Sequence, residues 1–251
     1  MDDFPDDPND LPSTLWPSAA LIASYVDNIR AATPLLAEQL DVLLRVLRDV
    51  QPDPTRLLDL GANDGLLTYL LLHQYPYAHA TLVDSAAPLL SAAIRRLHAH
   101  AEQLAVVEAD LSDPGWPADL TGPFDIAVCA DTLHRLTHPR KQALFHEVFN
   151  LLTPGGWFFV ATPVAPTSGQ WQRPDDALQV DARYQFFQRS ARPKSRHEVD
   201  WDYHNRNDAD RDILAPLEDQ LGWLRTAGFT AVDVPFKLLQ RALFGGQKPL
   251  A

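Results

Sequence analysis

Short, continuous apolar runs recur along this chain and are separated by longer segments with helical periodicity. The runs are Leu57–Leu60, Ala80–Val83, Leu104–Glu108, Phe124–Ala130 and Trp157–Thr162. Runs of this length without strict alternation are typical of strands in a parallel sheet that is covered on both faces. The pattern therefore predicts an α/β fold.

The intervening segments predict helices with one buried face. The first predicted helix spans 18–32. The second is capped by Thr33, has Pro34 at its first position and has an apolar face that starts at Leu35. The other predicted helices are the segment after Gly65, Ala86–Ala101, a helix opened by Pro139, and Pro216–Ala227. Gly155 and Gly156 predict a turn before the fifth strand, and Phe229–Lys237 and Arg241–Gly245 predict a final pair of strands.

The most informative stretch runs from Leu57 to Leu72, where a strand, a tight turn of small residues and a helix follow one another. Backbone N–H groups at the start of such a helix face outward, and open α/β sheets bind nucleotides at this edge. A dinucleotide fingerprint would require glycines at positions 61, 63 and 66, but Asn63 and Leu66 occupy two of them. The turn therefore predicts a nucleotide site of another kind.

The turn resembles the first motif of the class I S-adenosylmethionine-dependent methyltransferases, D-x-G-x-G-x-G. Asp59, Gly61 and Gly65 keep this pattern, whereas Asn63 replaces the middle glycine. Asparagine tolerates left-handed backbone better than most residues, so we expect the turn to survive. The loop DTLHRL, the turn LTPGG and the C-terminal pattern WLRTAGF…ALFGGQK extend the resemblance from about residue 18 to the end.

The resemblance implies a Rossmann-like α/β fold with a seven-stranded, mostly parallel sheet and helices on both faces. Its last strand would run antiparallel, between the fifth and the sixth. We expect a disordered acidic tail over 1–17 and a single domain over 18–251. In that domain, 18–54 would form N-terminal helices that close over the cofactor, and 163–212 would form an insertion that shapes the acceptor site.

The resemblance also implies S-adenosylmethionine as the cofactor. An acidic residue such as Asp84, about 20 residues past the glycines, suits the two ribose hydroxyls, although it could instead cap the next helix. Tyr25 and Arg30 are candidates for the lid, or else an ordinary packed aromatic residue and a solvated charge. The predicted cofactor-binding residues are Tyr25, Arg30, Asp59, Gly61, Ala62, Asn63, Gly65, Asp84, Ser85, Asp110, Leu111 and Ala130.

Candidate catalytic residues lie after the fourth strand and in the insertion. His134 is the best candidate for acid–base catalysis, because histidine titrates near neutral pH. Tyr184 and His204 belong to the aromatic-rich insertion and are further candidates. If the run from His197 to His204 were extended, alternation would place three carboxylates and His204 on one face. We interpret this run as a charged surface strand or loop, and we expect no metal.

Composition narrows the classes of partner. The 251 residues carry a formal net charge of −12, which disfavours nonspecific nucleic-acid binding. Cys129 is the single cysteine, and no apolar stretch is long enough to span a membrane. We expect a cytoplasmic protein with a small-molecule acceptor, and a homodimer remains open.

Four functions are consistent with the sequence. The first is methyl transfer from S-adenosylmethionine to a small molecule. The second is a cyclase or lyase that consumes S-adenosylmethionine and releases methylthioadenosine. The third is a tRNA-modifying methyltransferase, and the fourth is a cofactor-binding protein without catalysis. The third would use a local basic face made of Arg183, Arg189, Arg192, Lys194, Arg196, Arg206 and Arg211, which are interleaved with acidic residues.

Overall fold

A computed structural model describes residues 33–190, 192–205 and 212–250 and contains a seven-stranded sheet. The strands are β1 (Arg56–Leu60), β2 (His79–Asp84), β3 (Leu104–Glu108), β4 (Phe124–Ala130), β5 (Leu152–Pro163), β6 (Thr230–Leu238) and β7 (Arg241–Gln247). Their order across the sheet is β3-β2-β1-β4-β5-β7-β6. β7 is antiparallel to both neighbours, and the pairs from β3 to β5 are parallel. The predicted sheet, including its antiparallel last strand, is confirmed.

Helices cover both faces of the sheet, as predicted. They are α1 (Leu36–Val50), α2 (Leu66–Gln74), α3 (Ala87–Arg96), α4 (His138–Leu151), α5 (Gln172–Arg189), α6 (Arg196–His204) and α7 (Leu217–Ala227). The side chains of α1, α2 and α3 share one apolar cluster with residues such as Leu57 and Val128. Those of α4 and α7 form the second cluster on the opposite face, with Leu58 and Cys129. Alternate residues of the central strands therefore pack against helices on opposite faces of the sheet. The glycine turn that follows β1 lies between these two layers of helices.

Two sequence-based helix boundaries were wrong. Thr33 does not cap α1, which begins at Leu36 after Leu35. Leu35 has a left-handed backbone (φ 52°) and an exposed side chain, because residues 33–35 form a separate turn. The helix predicted to end at Ala101 stops at Arg96, and a 3-10 segment follows over His98–Gln103.

The Gly155–Gly156 turn lies inside β5 instead of before it. Phe124 pairs with Leu152 and Ile126 pairs with Trp157, so the intervening residues bulge out of the strand. Gly155 adopts φ 81° at this bulge, a left-handed conformation that glycine reaches without strain. The Gly155–Gly156 pair therefore does mark a change in backbone direction, but within the strand.

The acidic tail over 1–17 and the predicted helix 18–32 lie outside the described residues. Among the described helices, none is both long enough and apolar enough to cross a membrane.

Candidate active site

The turn between β1 and α2 is held by backbone and carboxylate contacts. The amides of Gly61 and Ala62 donate to the carbonyl of Val83 at 2.8 and 3.0 Å, which ties the turn to the end of β2. Gly61, Asn63 and Gly65 have φ values of 70°, 52° and 78°. Three left-handed positions within five residues form a compact loop in front of the N-terminus of α2, where the helix dipole is positive.

Asn63 supports the turn in place of the family's glycine. Its side-chain amide donates to the carbonyl of Gly61 at 2.8 Å, and its own N–H donates to Asp84 Oδ2 at 2.9 Å. The local hydrogen bond offsets part of the strain that a left-handed conformation imposes on a residue other than glycine.

We expect Asn63→Ala to lower the free energy of unfolding by about 1–2 kcal/mol, because alanine keeps the left-handed strain and loses the hydrogen bond. Asn63→Gly should stay within about 1 kcal/mol of the wild type, since glycine adopts this conformation without strain. Urea unfolding of the two variants measures the difference. Equal stabilities would contradict the role assigned to the Asn63 side chain.

Two carboxylates lie next to the turn. Asp84 accepts hydrogen bonds from the amides of Asn63 and Ala86, one on each oxygen and both at 2.9 Å, so each oxygen retains a lone pair for a ligand. Asp59 is buried beneath the turn and accepts a hydrogen bond from Thr68 Oγ1 at 2.6 Å. Burial, and secondarily the charge of Asp84, raises the pKa of Asp59 to about 6.

A cavity of about 730 Å³ extends from this turn across the carboxyl ends of β1 and β4 and beneath α5 and α6. One side of its wall is formed by Leu36 and Leu40 of α1, by Asp59 and Gly61–Asn63 at the turn, and by Ala130, Asp131, His134 and Arg135 at the end of β4 and after it. The insertion contributes Gln172, Asp175, Gln179, Arg183 and Phe187 of α5 and Val199, Asp202 and Tyr203 of α6. The last hairpin contributes Gln240 and Arg241. The cavity therefore joins the predicted cofactor turn to the insertion over 163–212.

His134 lies in the cavity wall, in a short 3-10 turn that spans Leu133–Arg135, and it is 8% exposed. Burial lowers the pKa of its imidazole, while the carboxylates of Asp131 and Asp212 partly oppose this effect. Nε2 lies 3.7 Å from Asp212 Oδ1, and Nδ1 has no hydrogen-bond partner among the described residues. The side chain therefore favours its neutral form, which is the form that accepts a proton.

The segment 212–215 is bound closely to the wall around His134. The amide of Ile213 donates to the carbonyl of His134 at 2.7 Å, and Lys141 Nζ donates to the carbonyl of Ile213. Asp212 also forms an ion pair with Arg135 at 3.0 Å. These contacts fix the Asp212 carboxylate beside the imidazole, an arrangement that the sequence did not predict.

The insertion is helical, which corrects the interpretation of His197–His204. This run belongs to α6, so strand alternation does not apply and its four polar residues do not share one face. A capping box between Ser195 and Glu198 starts the helix, and this S-x-x-E pattern was the available sequence signal. Among the described residues, no group of three potential metal ligands is close enough to hold an ion.

The other two candidate catalytic residues lie away from the cavity wall. Tyr184 packs with Phe187 against a small cluster that joins α5 to α6, whose buried members are Val180, Val199 and Tyr203. His204 is 48% exposed at the end of α6, where its Nδ1 contacts the carbonyl of Asp200 at 2.9 Å. Phe187 and Tyr203 line the cavity from the insertion.

The remaining predicted cofactor residues follow β2 and β3. Ser85 and Asp110 are exposed beside the turn, and the amide of Ala109 donates to the carbonyl of Asp84 at 3.0 Å. Leu111 is 5% exposed and packs in the second core cluster, with its side chain among core residues. Tyr25 and Arg30 lie outside the described residues.

Sequence reasoning considered Asp131 only as an improbable metal ligand, and it missed the contacts of Asp131 and Asp175 in the cavity. Asp131 has a left-handed backbone (φ 52°) and pairs with Arg241 Nη2 at 2.8 Å. Asp175 is buried on α5 and accepts a hydrogen bond from the amide of Gln240 at 3.2 Å, and burial raises its pKa. No local motif marks these residues, because the contacts join parts of the chain that are far apart in sequence.

The fold and the turn define a class of protein, an α/β domain with a Rossmann-like sheet and a nucleotide site at the topological switch point beside β1. Residues 58–158 match the family model described as a methyltransferase domain. A curated relative, the carboxy-S-adenosyl-L-methionine synthase of Trichodesmium erythraeum, is 24% identical over 233 residues, which cover 89% of this chain and 86% of the relative.

Solved structures share the fold. An O-methyltransferase family protein from Burkholderia thailandensis superposes with a TM-score of 0.58 at 19% identity, covering 94% of this chain and 64% of that one. Human N-acetylserotonin methyltransferase, solved in complex with SAM, gives a TM-score of 0.55 at 15% identity over 95% of this chain and 60% of that one. This chain thus spans about three fifths of the length of those two proteins.

Residues 58–158 carry the match to a methyltransferase domain, and together with the curated relatives they support the class I S-adenosylmethionine-dependent methyltransferases as the class of this protein. It is an enzyme of that class, and its cofactor is S-adenosylmethionine. The residues present fit this cofactor, because a turn with three left-handed positions, a carboxylate with a lone pair on each oxygen and a cavity that begins at the turn are found together.

Proposed function

We propose that this protein transfers a methyl group from S-adenosylmethionine to a small-molecule acceptor, with His134 as the general base. The observation that carries the proposal is the cavity itself, because one continuous space of about 730 Å³ joins the glycine turn to His134. A volume of this size is typical of a small-molecule site.

The residues around the turn would hold the cofactor. Asp84 would accept hydrogen bonds from the ribose hydroxyls, and Gly61, Ala62 and Asn63 would line the methionyl end together with Ala130. Bound S-adenosylmethionine supplies a methyl group that is already activated on a positively charged sulfur.

The work of the protein is then to orient the acceptor and to accept a proton from it. Orientation and exclusion of water lower such barriers by roughly 7–11 kcal/mol in favourable model reactions. α5 and α6 cover the cavity and contribute Phe187 and Tyr203 to its wall. The imidazole of His134 would take the proton of a hydroxyl or amine acceptor, and Asp212 beside Nε2 would stabilise the imidazolium that forms.

We expect Asp84→Asn to weaken S-adenosylmethionine binding by about ten- to a hundredfold, since charge-assisted hydrogen bonds contribute about 1.5–3 kcal/mol. Calorimetry on the purified variant measures the change. Asp49→Asn, which alters a carboxylate that is 77% exposed on α1, is the matched control. Unchanged affinity in Asp84→Asn would show that Asp84 only holds the turn.

A second candidate is chemistry on the cofactor itself. It is favoured by the relative that matches nearly the whole chain, which is named as a synthase of carboxy-S-adenosyl-L-methionine. A cyclase or lyase that releases methylthioadenosine is the other form of this candidate.

Incubation with S-adenosylmethionine alone, followed by mass spectrometry, separates the two candidates. Methyl transfer predicts unchanged cofactor until a small-molecule extract is added, and S-adenosylhomocysteine afterwards. Methylthioadenosine without acceptor, or a cofactor product that carries an added carboxyl group once the extract supplies a carboxyl donor, would contradict the first proposal and support the second.

A tRNA acceptor ranks lower. Arg196 forms an ion pair with Asp181, and Lys194 forms one with Asp202 at 2.6 Å, so two cations of the expected basic face are neutralised. Arg206 and Arg211 lie outside the described residues. tRNA binding that weakens steeply with salt would be needed to reverse this ranking.

A further inference from the structure

Arg241 is a buried cation in the cavity wall whose hydrogen bonds are incomplete. It is the first residue of β7, and its side chain is 9% exposed. Nη2 donates to Asp131 Oδ1 at 2.8 Å and to Gln39 Oε1 at 3.2 Å. Nε is buried and has no hydrogen-bond partner among the described residues. The Nε–H group of the guanidinium therefore lacks an acceptor.

Gln39 carries a second incomplete donor at the same place. It is 1% exposed on α1, and its Oε1 accepts from Arg241, which fixes the orientation of the amide. Gln39 Nε2 is buried and has no partner among the described residues. Buried donors without acceptors are rare in native proteins, and two neighbouring ones indicate that an oxygen ligand belongs nearby.

The nearby carboxylates in the part of the chain that the structure describes do not fill this position. The carboxylate of Asp131 contacts Arg241 Nη2, and the backbone of Asp131 is left-handed. The amide of Asp131 donates to the carbonyl of Ala161 at 2.9 Å, which holds the backbone of Asp131 in place. Asp175 lies in the same cavity and accepts from the amide of Gln240. A guanidinium presents pairs of N–H groups whose spacing matches the two oxygens of a carboxylate.

The position of Arg241 in the sheet indicates the acceptor side. The predicted ribose- and adenine-binding residues follow β2 and β3, on one side of β1. Arg241 lies on the other side of β1, beyond β4 and β5, where β7 pairs with Pro163 of β5. α5 covers this region, since Asp175 and Gln179 line the same cavity.

We propose that the acceptor carries a carboxylate, which Arg241 binds while Asp131 and Gln39 hold its guanidinium in place. This inference deepens the proposed function, because it rests on a small-molecule acceptor in the same cavity. It assigns the acceptor to the class of small organic carboxylates.

The test uses ligand-observed NMR on the full chain with benzoate, malonate and citrate as probes and benzamide as the uncharged counterpart. We expect the carboxylates to bind the wild type, with S-adenosylmethionine present or absent, and benzamide to bind more weakly. Arg241→Gln should weaken carboxylate binding about tenfold or more, and Arg241→Lys should restore it only in part, because lysine lacks the paired donors. Arg225→Gln, an exposed arginine on α7, is the matched control.

The outcomes separate the sources of the carboxylate. If Arg241→Gln weakens S-adenosylmethionine but not methylthioadenosine, Arg241 binds the methionyl carboxylate of the cofactor, and the inference is overturned. No carboxylate binding to the wild type, or equal binding to Arg241→Gln, also overturns it and would mean that the two donors bind water.

Far-UV circular dichroism and the thermal midpoint establish that the variants fold. If Arg241→Gln does not fold, Arg241→Lys decides the question: wild-type carboxylate binding in that variant contradicts the inference. These binding data do not depend on turnover, so a failure of the proposed methyl transfer remains distinguishable.

Discussion

Gly61→Ala should unfold the glycine turn and abolish cofactor binding. A Cβ atom at this position would lie 1.9 Å from Thr132 Oγ1 and 2.4 Å from Thr132 Cβ, and Gly61 also has φ 70°. The short Thr132 side chain leaves little room for relief by a rotamer change, so the backbone after β1 or after β4 must move. We expect a loss of more than about 3 kcal/mol of stability, within the range of severe core overpacking plus left-handed strain. Chemical denaturation and calorimetry with S-adenosylmethionine measure the two effects.

A double-mutant cycle separates the clash from the backbone strain. Thr132→Gly removes the three heavy atoms that lie nearest to the Cβ that Gly61→Ala would add. The double variant should therefore regain most of the loss and retain about 1–2 kcal/mol of strain. Gly169→Ala, where a new Cβ meets nothing within 4 Å, is the control. Wild-type stability of Gly61→Ala would contradict the tight packing of the two loops.

His134→Gln should lower kcat by about 10²–10⁴-fold for a hydroxyl or amine acceptor, which is the usual contribution of a general base. Glutamine keeps the polar bulk of the side chain but does not accept a proton near neutral pH. Because His134 does not bind the cofactor in this account, S-adenosylmethionine affinity should stay unchanged. Single-turnover methyl transfer and calorimetry on the same preparation make the comparison, with His146→Gln on the exposed side of α4 as the control.

The pH profile gives an independent check on His134. Burial lowers the imidazole pKa, so the neutral base is present at neutral pH and is lost only as the pH falls below the ordinary value of 6.5. Wild-type kcat should be flat near pH 7 and should fall on the acid side, and this fall should be missing in His134→Gln. Asp212→Asn should move the fall to lower pH, since the Asp212 charge raises the pKa. A rate that is unaffected by His134→Gln would rule out His134 as the base.

The sequence predicted those parts of the molecule that depend on local patterns. Apolar runs located β1, β2 and β4, because parallel strands buried on both faces have little tolerance for polar residues. Asn63 was accepted at a left-handed position and is found there with φ 52°. The antiparallel β7 followed from the resemblance, because no pattern within the strand determines which neighbours it pairs with.

The acceptor side could not be predicted in the same way. Arg241 contacts Gln39 and Asp131, which are 202 and 110 residues away in sequence. Lys141 is 1% exposed although α4 shows no sequence signal for a buried lysine, because its partner is the distant carbonyl of Ile213. α6 was misread because alternation was given more weight than the Ser195 capping box.

Methyl transfer to a small-molecule carboxylate is tested most directly by following a tritium-labelled methyl group from S-adenosylmethionine into a fractionated metabolite extract, with wild type and His134→Gln in parallel. We expect label in a small-molecule fraction that binds an anion exchanger, together with an equal amount of S-adenosylhomocysteine and a much slower reaction for the variant. Cofactor that is bound but never transfers its label to any small molecule, or label that appears only in tRNA, would contradict it.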